Sequence, residues 1–451
     1  MIGQWKKEAP GVGAEGGGGY LGRRVSRSWS EGSVTGGTAQ RRPAGRIKQV
    51  LCRQGNGRCI QGDKLLLRHL APAKNVNMSD MMTVYPTPAA VLRHCGAAGK
   101  HVLPWQVAQK NRLSGMLRHS RKEAEPVKVE TTVRAWPVQG EFAISRGSRT
   151  EAVVVEVRIY GEGAQGRGEC VPYARYGESV EGVCTAVHEA VRGMGGRPDR
   201  QLLQTLLPAG AARNGLDCAL WEYEAALRGE RVWQLAGCMR PVPVHTAYTL
   251  SLGTPLAMGA AARENAHRPL LKVKLGGAGD MERIRAVHEN APEARLIIDA
   301  NEAWTVQQYV QRAPQLACLG VALVEQPLPA GADAGLAGLD RPVPVCADES
   351  CHDRATLPRL AGLYDAVNIK LDKTGGLTEA LAMRDEAVRM GFRVMVGCML
   401  GSSLAMAPAH LVAQGADFAD IDGPLLLAAD HDPALCYEGS LVYPPEPALW
   451  G

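Results

Sequence analysis

The stretch LLKVKLGG sets Lys272 and Lys274 two residues apart inside an otherwise apolar run. In a β-strand, residues i and i+2 share a face. Both ammonium groups therefore point one way while Leu271, Val273 and Leu275 point the other. An unpaired buried charge costs several kcal/mol, so two lysines there call for acidic partners or a chemical task. Acids follow at matching places: RLIIDAN carries Asp299, GVALVEQPLP carries Glu325 and VPVCADES carries Asp348, before DAVNIKLDK returns to a lysine, Lys370. Three carboxylates drawn to one point repel unless protonated or neutralised, and a hard divalent cation that prefers oxygen ligands, Mg²⁺, resolves the conflict. A lysine at its ordinary pKa of about 10.4 is a poor base near neutrality. Lys272 beside Lys274, a nearby cation and desolvation would all lower it, toward about 7–8. Amines on both sides of a metal-held carboxylate could exchange the proton on the adjacent carbon. Singly, each residue has a plainer use: Asp348 as a helix cap, Glu325 as an arginine's partner, the lysines as partners of the acids. The ordered series favours the chemistry.

For these residues to meet, the elements that carry them must end together. From Lys274 the intervals are 25, 26, 23 and 22 residues to Lys370, then 28 to Cys398 in FRVMVGCML. Each interval has room for one strand, one helix and two short loops. Strands alternating with helices predict a parallel sheet, and their apolar character predicts burial on both faces. With a first strand in VPVHTAYTLSLG and a last in FADIDGP, which holds Asp420 and Asp422, about eight units suffice to close a β/α barrel. Such barrels gather their functional residues at the C-terminal strand ends. Upstream, VKVETTVRAWPV and TEAVVVEVRIYG read as strands joined by ISRGSR. SVEGVCTAVHEAVRGM and AGAARNGLDCALWEYEAALRGE carry apolar residues at helical spacing. Residues 126–240 thus read as a small α+β domain.

Composition sets the limits. The 451 residues are 45% hydrophobic and 22% charged, enough for a sizeable core. Twelve cysteines without a CxxC pair predict reduced thiols and a cytoplasmic setting. No apolar run approaches the roughly 18 residues of a membrane span, and the N-terminus lacks a secretory h-region. The net charge of +5 hides an asymmetry: residues 1–125 hold 21 Lys/Arg against 7 Asp/Glu, and residues 126–451 hold 30 against 39. The first fifty residues contain twelve glycines and dispersed arginines, which predicts disorder rather than nucleic-acid binding. A translation start nearer Met116 is another reading of the same extension.

The motifs KVK, DANEAW, EQPLP, ADES, NIKLDKTGGLTEAL, GCMLGSS and ADIDGP, in this order, resemble the enolase superfamily and, within it, the L-Ala-D/L-Glu (dipeptide) epimerases. SRGSR, GECVPYARYGES and LPAGAARNGLDCALW agree as well, so the resemblance runs from about residue 126 to the end and leaves 1–125 without a counterpart. It implies an α/β fold: a modified (β/α)7β TIM-like barrel over 241–423, and an α+β capping domain over 126–240 completed by 424–451. It implies that Asp299, Glu325 and Asp348 hold Mg²⁺, that Lys274 and Lys370 are the two acid/base groups, and that Lys272 contacts the substrate carboxylate. Asp420 and Asp422, two apart in ADIDGP, would take the α-ammonium of a dipeptide, with Thr249 and Cys398 as further substrate contacts. Arg146 in SRGSR is the candidate partner of a distal carboxylate. The implied activity is 1,1-proton transfer on L-Ala-D-Glu in murein peptide recycling, with a small dipeptide as the binding partner and neither nucleic acid nor membrane. A homo-oligomer is left open. The alternatives are a muconate cycloisomerase or o-succinylbenzoate synthase type of reaction, whose substrates lack the amine, and nucleic-acid binding by the basic extension.

Overall fold

The computed structural model describes residues 126–451; the expectations for the basic extension 1–125 lie outside the described residues. The chain begins with an antiparallel meander of β1 (Lys128–Ile144), β2 (Gly147–Gly161) and β3 (Ala164–Cys170), in the order β1-β2-β3. Both predicted strands are longer than the apolar runs suggested. β1 alternates exposed and half-buried residues up to Pro137, and after the buried Val138 the exposed Gln139, Gly140 and Glu141 interrupt the pattern at a break in register before Phe142. β3 escaped the sequence reading because glycines replace its inward side chains. A Cβ on Gly166 or Gly168 would run into the main-chain oxygens of Ala219 and Gly215 on the helix packed against it.

That helix is α3 (Ala211–Arg228), preceded by α1 (Val180–Gly193) and by a short α2 (Arg200–Leu206) that the periodicity did not predict. Ser179 caps α1 by accepting from Gly182 N, and Asp199 caps α2. Val155, Val157 and Ile159 of β2 meet Val183, Val187, Leu216 and Tyr223 of the helices in one buried cluster. Each such aliphatic side chain contributes about 1.5–3 kcal/mol by leaving water. The short α4 (Val232–Leu235) leads out of this region.

VPVHTAYTLSLG forms two short strands where one was expected. β4 (Val244–His245) pairs antiparallel with a C-terminal strand, whereas β5 (Tyr248–Leu250) opens the parallel sheet. The chain switches sheets at Thr246–Ala247. The parallel strands are then β6 (Leu270–Lys274), β7 (Arg295–Asp299), β8 (Val321–Glu325), β9 (Val345–Ala347), β10 (Ala366–Ile369), β11 (Arg393–Gly397) and β12 (Phe418–Asp420). They run in sequential order from β5 to β12. A bridge between Thr246 and Ala419, with Ala247 N donating to Ala419 O at 2.8 Å, joins the ends of the sheet. The result is an eight-stranded barrel.

Helices α5 (Pro255–Glu264), α6 (Asp280–Asn290) and α7 (Val306–Cys318) follow the first three barrel strands. After β8 the expected helix is only the 3₁₀ turn Asp333–Leu336, and β9 is followed by the single-turn α8 (Leu357–Leu360). Then come α9 (Leu371–Thr374), α10 (Leu377–Arg389) and α11 (Ser403–Val412). Leu271, Val273 and Leu275 pack outward with Ile284 and Val287 of α6, while Lys272 and Lys274 face the barrel interior, as the alternation requires. The C-terminal hairpin β13 (Tyr437–Glu438) and β14 (Leu441–Val442) flanks β4. The chain end reaches the meander, where Trp450 Nε1 donates to Arg167 O at 3.0 Å.

Candidate active site

Register brings the chemistry into line. Lys274, Asp299 and Glu325 are the last residues of β6, β7 and β8, and their Cα atoms are paired neighbours across the three strands. Asp348 and Lys370 follow the ends of β9 and β10 directly, Cys398 follows β11, and Asp420 ends β12. In the ring of eight strands, β6 and β10 stand four positions apart, so Lys274 and Lys370 rise from opposite walls. Both line one cavity of about 350 Å³, together with Asp348 and Cys398 from the barrel and Ile144, Arg146, Arg149, Tyr173, Arg175 and Tyr176 from the meander side. A smaller adjoining space of about 30 Å³ touches Thr249, Lys272, Lys274, Cys398, Asp420 and Asp422. That is room for one ammonium-sized group.

The charges are buried and paired. Lys272 Nζ lies 2.7 Å from Asp420 Oδ2, 2.7 Å from Glu325 Oε2 and 3.4 Å from Asp299 Oδ2. Lys274 donates to Asp299 Oδ2 at 2.6 Å, and Lys370 donates to Asp348 Oδ2 at 2.7 Å. Burial alone would raise the Asp299 carboxyl, but Lys274 and then Lys272 outweigh it and bring Asp299 to about 2. Glu325 goes the other way, pushed up to about 7 by burial and by the charges of Asp299 and Asp348 against the pull of Lys272. Burial and then Asp420 raise Asp422 to about 7, although Thr249 N donates to its Oδ2 at 2.6 Å.

Lys370 is held above, not below, the ordinary lysine range. Burial and Lys272 push its pKa down, but Asp348 and Glu325 prevail and hold it well above the usual lysine range.

Among the described residues no three acidic, histidine or cysteine side chains are gathered tightly enough to hold a metal as they stand, because lysines occupy the carboxylate oxygens. The donor set still suits a hard cation. All three acids are 3% exposed or less, Glu325 Oε2 is buried without a geometrically sound hydrogen bond, and Glu325 is raised by its anionic neighbours. A cation taking these oxygens would relieve both conditions.

Arg146 is already engaged. Its Nη1 lies 3.0 Å from Glu349 Oε1 and 3.3 Å from Glu302 Oε2, and Nη2 donates to Tyr173 Oη at 3.4 Å. Arg149, above the Tyr173 ring at 5.5 Å, has no carboxylate within 4 Å among the described residues. The acidic partners of Arg146, Glu302 and Glu349, lie more than 150 residues away in sequence and leave no local sign in SRGSR. Burial pushes the Cys398 thiol up, away from thiolate.

Supporting residues were missed. Asn368 Nδ2 donates to Glu325 Oε1 at 2.7 Å, and Gly397 on the next strand makes room for it, since a Cβ there would sit 2.6 Å from Asn368 Oδ1. Gln326 accepts from Asp348 N at 2.9 Å and has a left-handed φ of 36°, next to a loop where Asn301 and Glu302 are left-handed too. Such strain collects at functional sites. No periodic signal marks these residues. The places of Asn301, Gln326 and Asn368 within DAN, EQ and NIK were the available clue.

Comparison with known proteins accords with this geometry. Residues 127–237 match the family described as Mandelate racemase / muconate lactonizing enzyme, N-terminal domain, and residues 257–435 match Enolase C-terminal domain-like. The chain is 48% identical over 309 residues to the L-Ala-D/L-Glu epimerase of Escherichia coli (strain K12), covering 68% of this chain and 96% of that protein. It is 43% identical over 288 residues to an N-acetyl-D-glutamate racemase of a Pseudoalteromonas species, covering 63% and 91%. A crystal structure of an Agrobacterium tumefaciens enolase family member with homology to dipeptide epimerases, bound to sodium and L-Ala-L-Glu, aligns with TM-score 0.71 and 55% identity over 72% of this chain and all of that one. The chain belongs to the enolase superfamily, in its mandelate racemase/muconate lactonizing enzyme branch and beside the dipeptide epimerases.

Proposed function

We propose that the protein epimerises L-Ala-D-Glu and L-Ala-L-Glu at the glutamyl α-carbon by two-base proton transfer. The observation that carries this reading is the pair Lys274 and Lys370 on opposite walls of one cavity, with Asp299, Glu325 and Asp348 on the three strands between them. Asp299, Glu325 and Asp348 would hold Mg²⁺, which when bound supplies positive charge to the substrate carboxylate as the neighbouring carbon loses its proton. Lys274 and Lys370 each take or return that proton at their own face, so removal on one side and delivery on the other inverts the centre. With Asp348 engaged as a ligand, Lys370 would lose the countercharge that holds its amine protonated, which would allow it to serve as base. Lys272, buried beside the acids, would meet the substrate carboxylate.

Asp420 and Asp422 border the small cavity and would bind the dipeptide's α-ammonium against Thr249. Arg146, Arg149 and Arg175 give the mouth of the large cavity a cationic rim suited to the distal carboxylate of glutamate. Recycling of murein peptide is the setting that would present such a D-glutamyl dipeptide. Incubation with L-Ala-D-Glu in D₂O tests the reading: deuterium at the glutamyl α-carbon with formation of the L-epimer is expected, and no exchange would refute it. Chelation is expected to suppress turnover, with recovery on adding Mg²⁺.

A second reading, racemisation of an N-acylated glutamate, is favoured by the likeness to the N-acetyl-D-glutamate racemase. Its substrate has no free α-ammonium. Turnover of N-acetylglutamate exceeding that of the dipeptide would select it.

A further inference from the structure

Lys373 lies on the one-turn helix α9, three residues beyond Lys370, and its side chain is 0% exposed. Its Nζ donates to the carbonyl of Asp348 at 2.6 Å, to Asp348 Oδ1 at 2.6 Å and to the carbonyl of Asn368 at 3.0 Å. An ammonium has three N–H donors, so each is committed to an oxygen of the barrel. Lys370 differs. Among the described residues it holds only Asp348 Oδ2, and it lines the cavity, which leaves it donors for a substrate.

The surrounding main chain explains why such a fastening is needed. β9 has three residues, and its register with β10 ends at Ala347 opposite Val367. Asp348 and Asn368 come next, where the ladder has stopped, and Lys373 bridges their carbonyls. Asn368 in turn directs its side-chain amide to Glu325. One buried ammonium thus ties the carboxylate of Asp348 to the stretch that orients a second carboxylate.

We infer that Lys373 is a positioning residue: it fixes the main chain and rotamer of Asp348, so that this carboxylate keeps its bearing whenever Lys370 releases it. The inference rests on the reading of Asp348 as a metal ligand. Lys373 moves no proton in the reaction, and a partner that orients a metal-ligating carboxylate typically changes metal affinity by about 10- to 100-fold when lost.

The test is calorimetric titration of the full chain with Mg²⁺, alongside steady-state kinetics, for the wild type, Lys373→Met and Asp348→Asn. Lys373→Met should raise the Mg²⁺ dissociation constant on the order of 10-fold, with part of the lost kcat recovered at high Mg²⁺. A lysine that only held the fold would lower the melting temperature and leave metal affinity alone, so a dissociation constant within about twofold of the wild type would overturn the inference. If Lys373→Met does not fold, Lys373→Gln carries the same expectation, and failure of both to fold would assign Lys373 to folding alone and likewise overturn it. If the wild type and Asp348→Asn bind Mg²⁺ equally, the metal reading itself fails. If they differ and Lys373→Met matches the wild type, only the positioning role fails.

Discussion

Along the barrel interior, Leu270 lies two residues below Lys272, Ile297 two below Asp299, Leu323 two below Glu325, Cys346 two below Asp348 and Phe418 two below Asp420. With Ala247, Ala366 and Met395, these residues form a separate buried cluster that draws one side chain from each stave of the barrel. The same strands therefore carry an apolar floor and, one pleat higher, a charged layer. The difference sets the electrostatic environment of the charged layer. The floor keeps water from entering below, so charges above it act in a low local dielectric. Burial is the leading influence on Asp299, Glu325, Asp422 and Lys370 alike.

Substitutions that separate the two layers test this division. The largest effect is expected from Lys274→Ala or Lys370→Ala, each lowering epimerisation on the order of 10³-fold or more. Each variant should retain deuterium exchange from one epimer only, as read by NMR in D₂O; full activity in either would break the assignment of chemistry to the upper layer. Met395→Ala in the floor should cost about 2–5 kcal/mol of stability while leaving kcat of the folded enzyme little changed. Urea unfolding paired with kinetics would show whether the layers separate so cleanly. Asp420→Asn combined with Asp422→Asn should raise the dipeptide KM by roughly 10- to 100-fold, the value of lost charged hydrogen bonds, and should affect N-acetylglutamate less.

The smallest effect lies outside the barrel interior. His410 on α11 has Nε2 at 3.2 Å from Val442 O, and burial lowers its pKa from 6.5 to about 4. The folded state binds the proton less well than the unfolded chain, so this contribution to stability is present above pH ~6.5 and lost as pH falls toward ~4. Between pH ~7.5 and ~5.5 the wild type should lose about 1 kcal/mol more than His410→Gln in urea unfolding. Equal losses would remove the effect.

Much of this was legible in residues 270–422 because strand alternation is strict there: KVK, IID and LVE each declare which face holds the charge. The cap was less legible. β3 hides its strand character behind Gly166 and Gly168, and the seven-residue α2 is too short to establish a period. Lys373 reads as an ordinary polar helix residue, since nothing in LDKTGG reveals that its helix is a single turn buried under the barrel rim. Arg146 reads from the sequence as a candidate for a substrate carboxylate, and nothing in SRGSR shows that loops contributing Glu302 and Glu349 also meet it. Contacts across such distances in sequence leave no local pattern.

The placement of Lys274, Asp299 and Glu325 as strand-terminal neighbours bears on how such a chain can vary. Their alignment depends on the hydrogen-bonded ladder alone, so lengthening a connecting segment shifts numbering without shifting any of the three. An extra residue inside β6 would instead turn both lysines outward among the helices and Val273 inward. Insertions and deletions should thus be confined to the connections, which are then at liberty to reshape the mouth of the cavity around an unchanged set of charged groups.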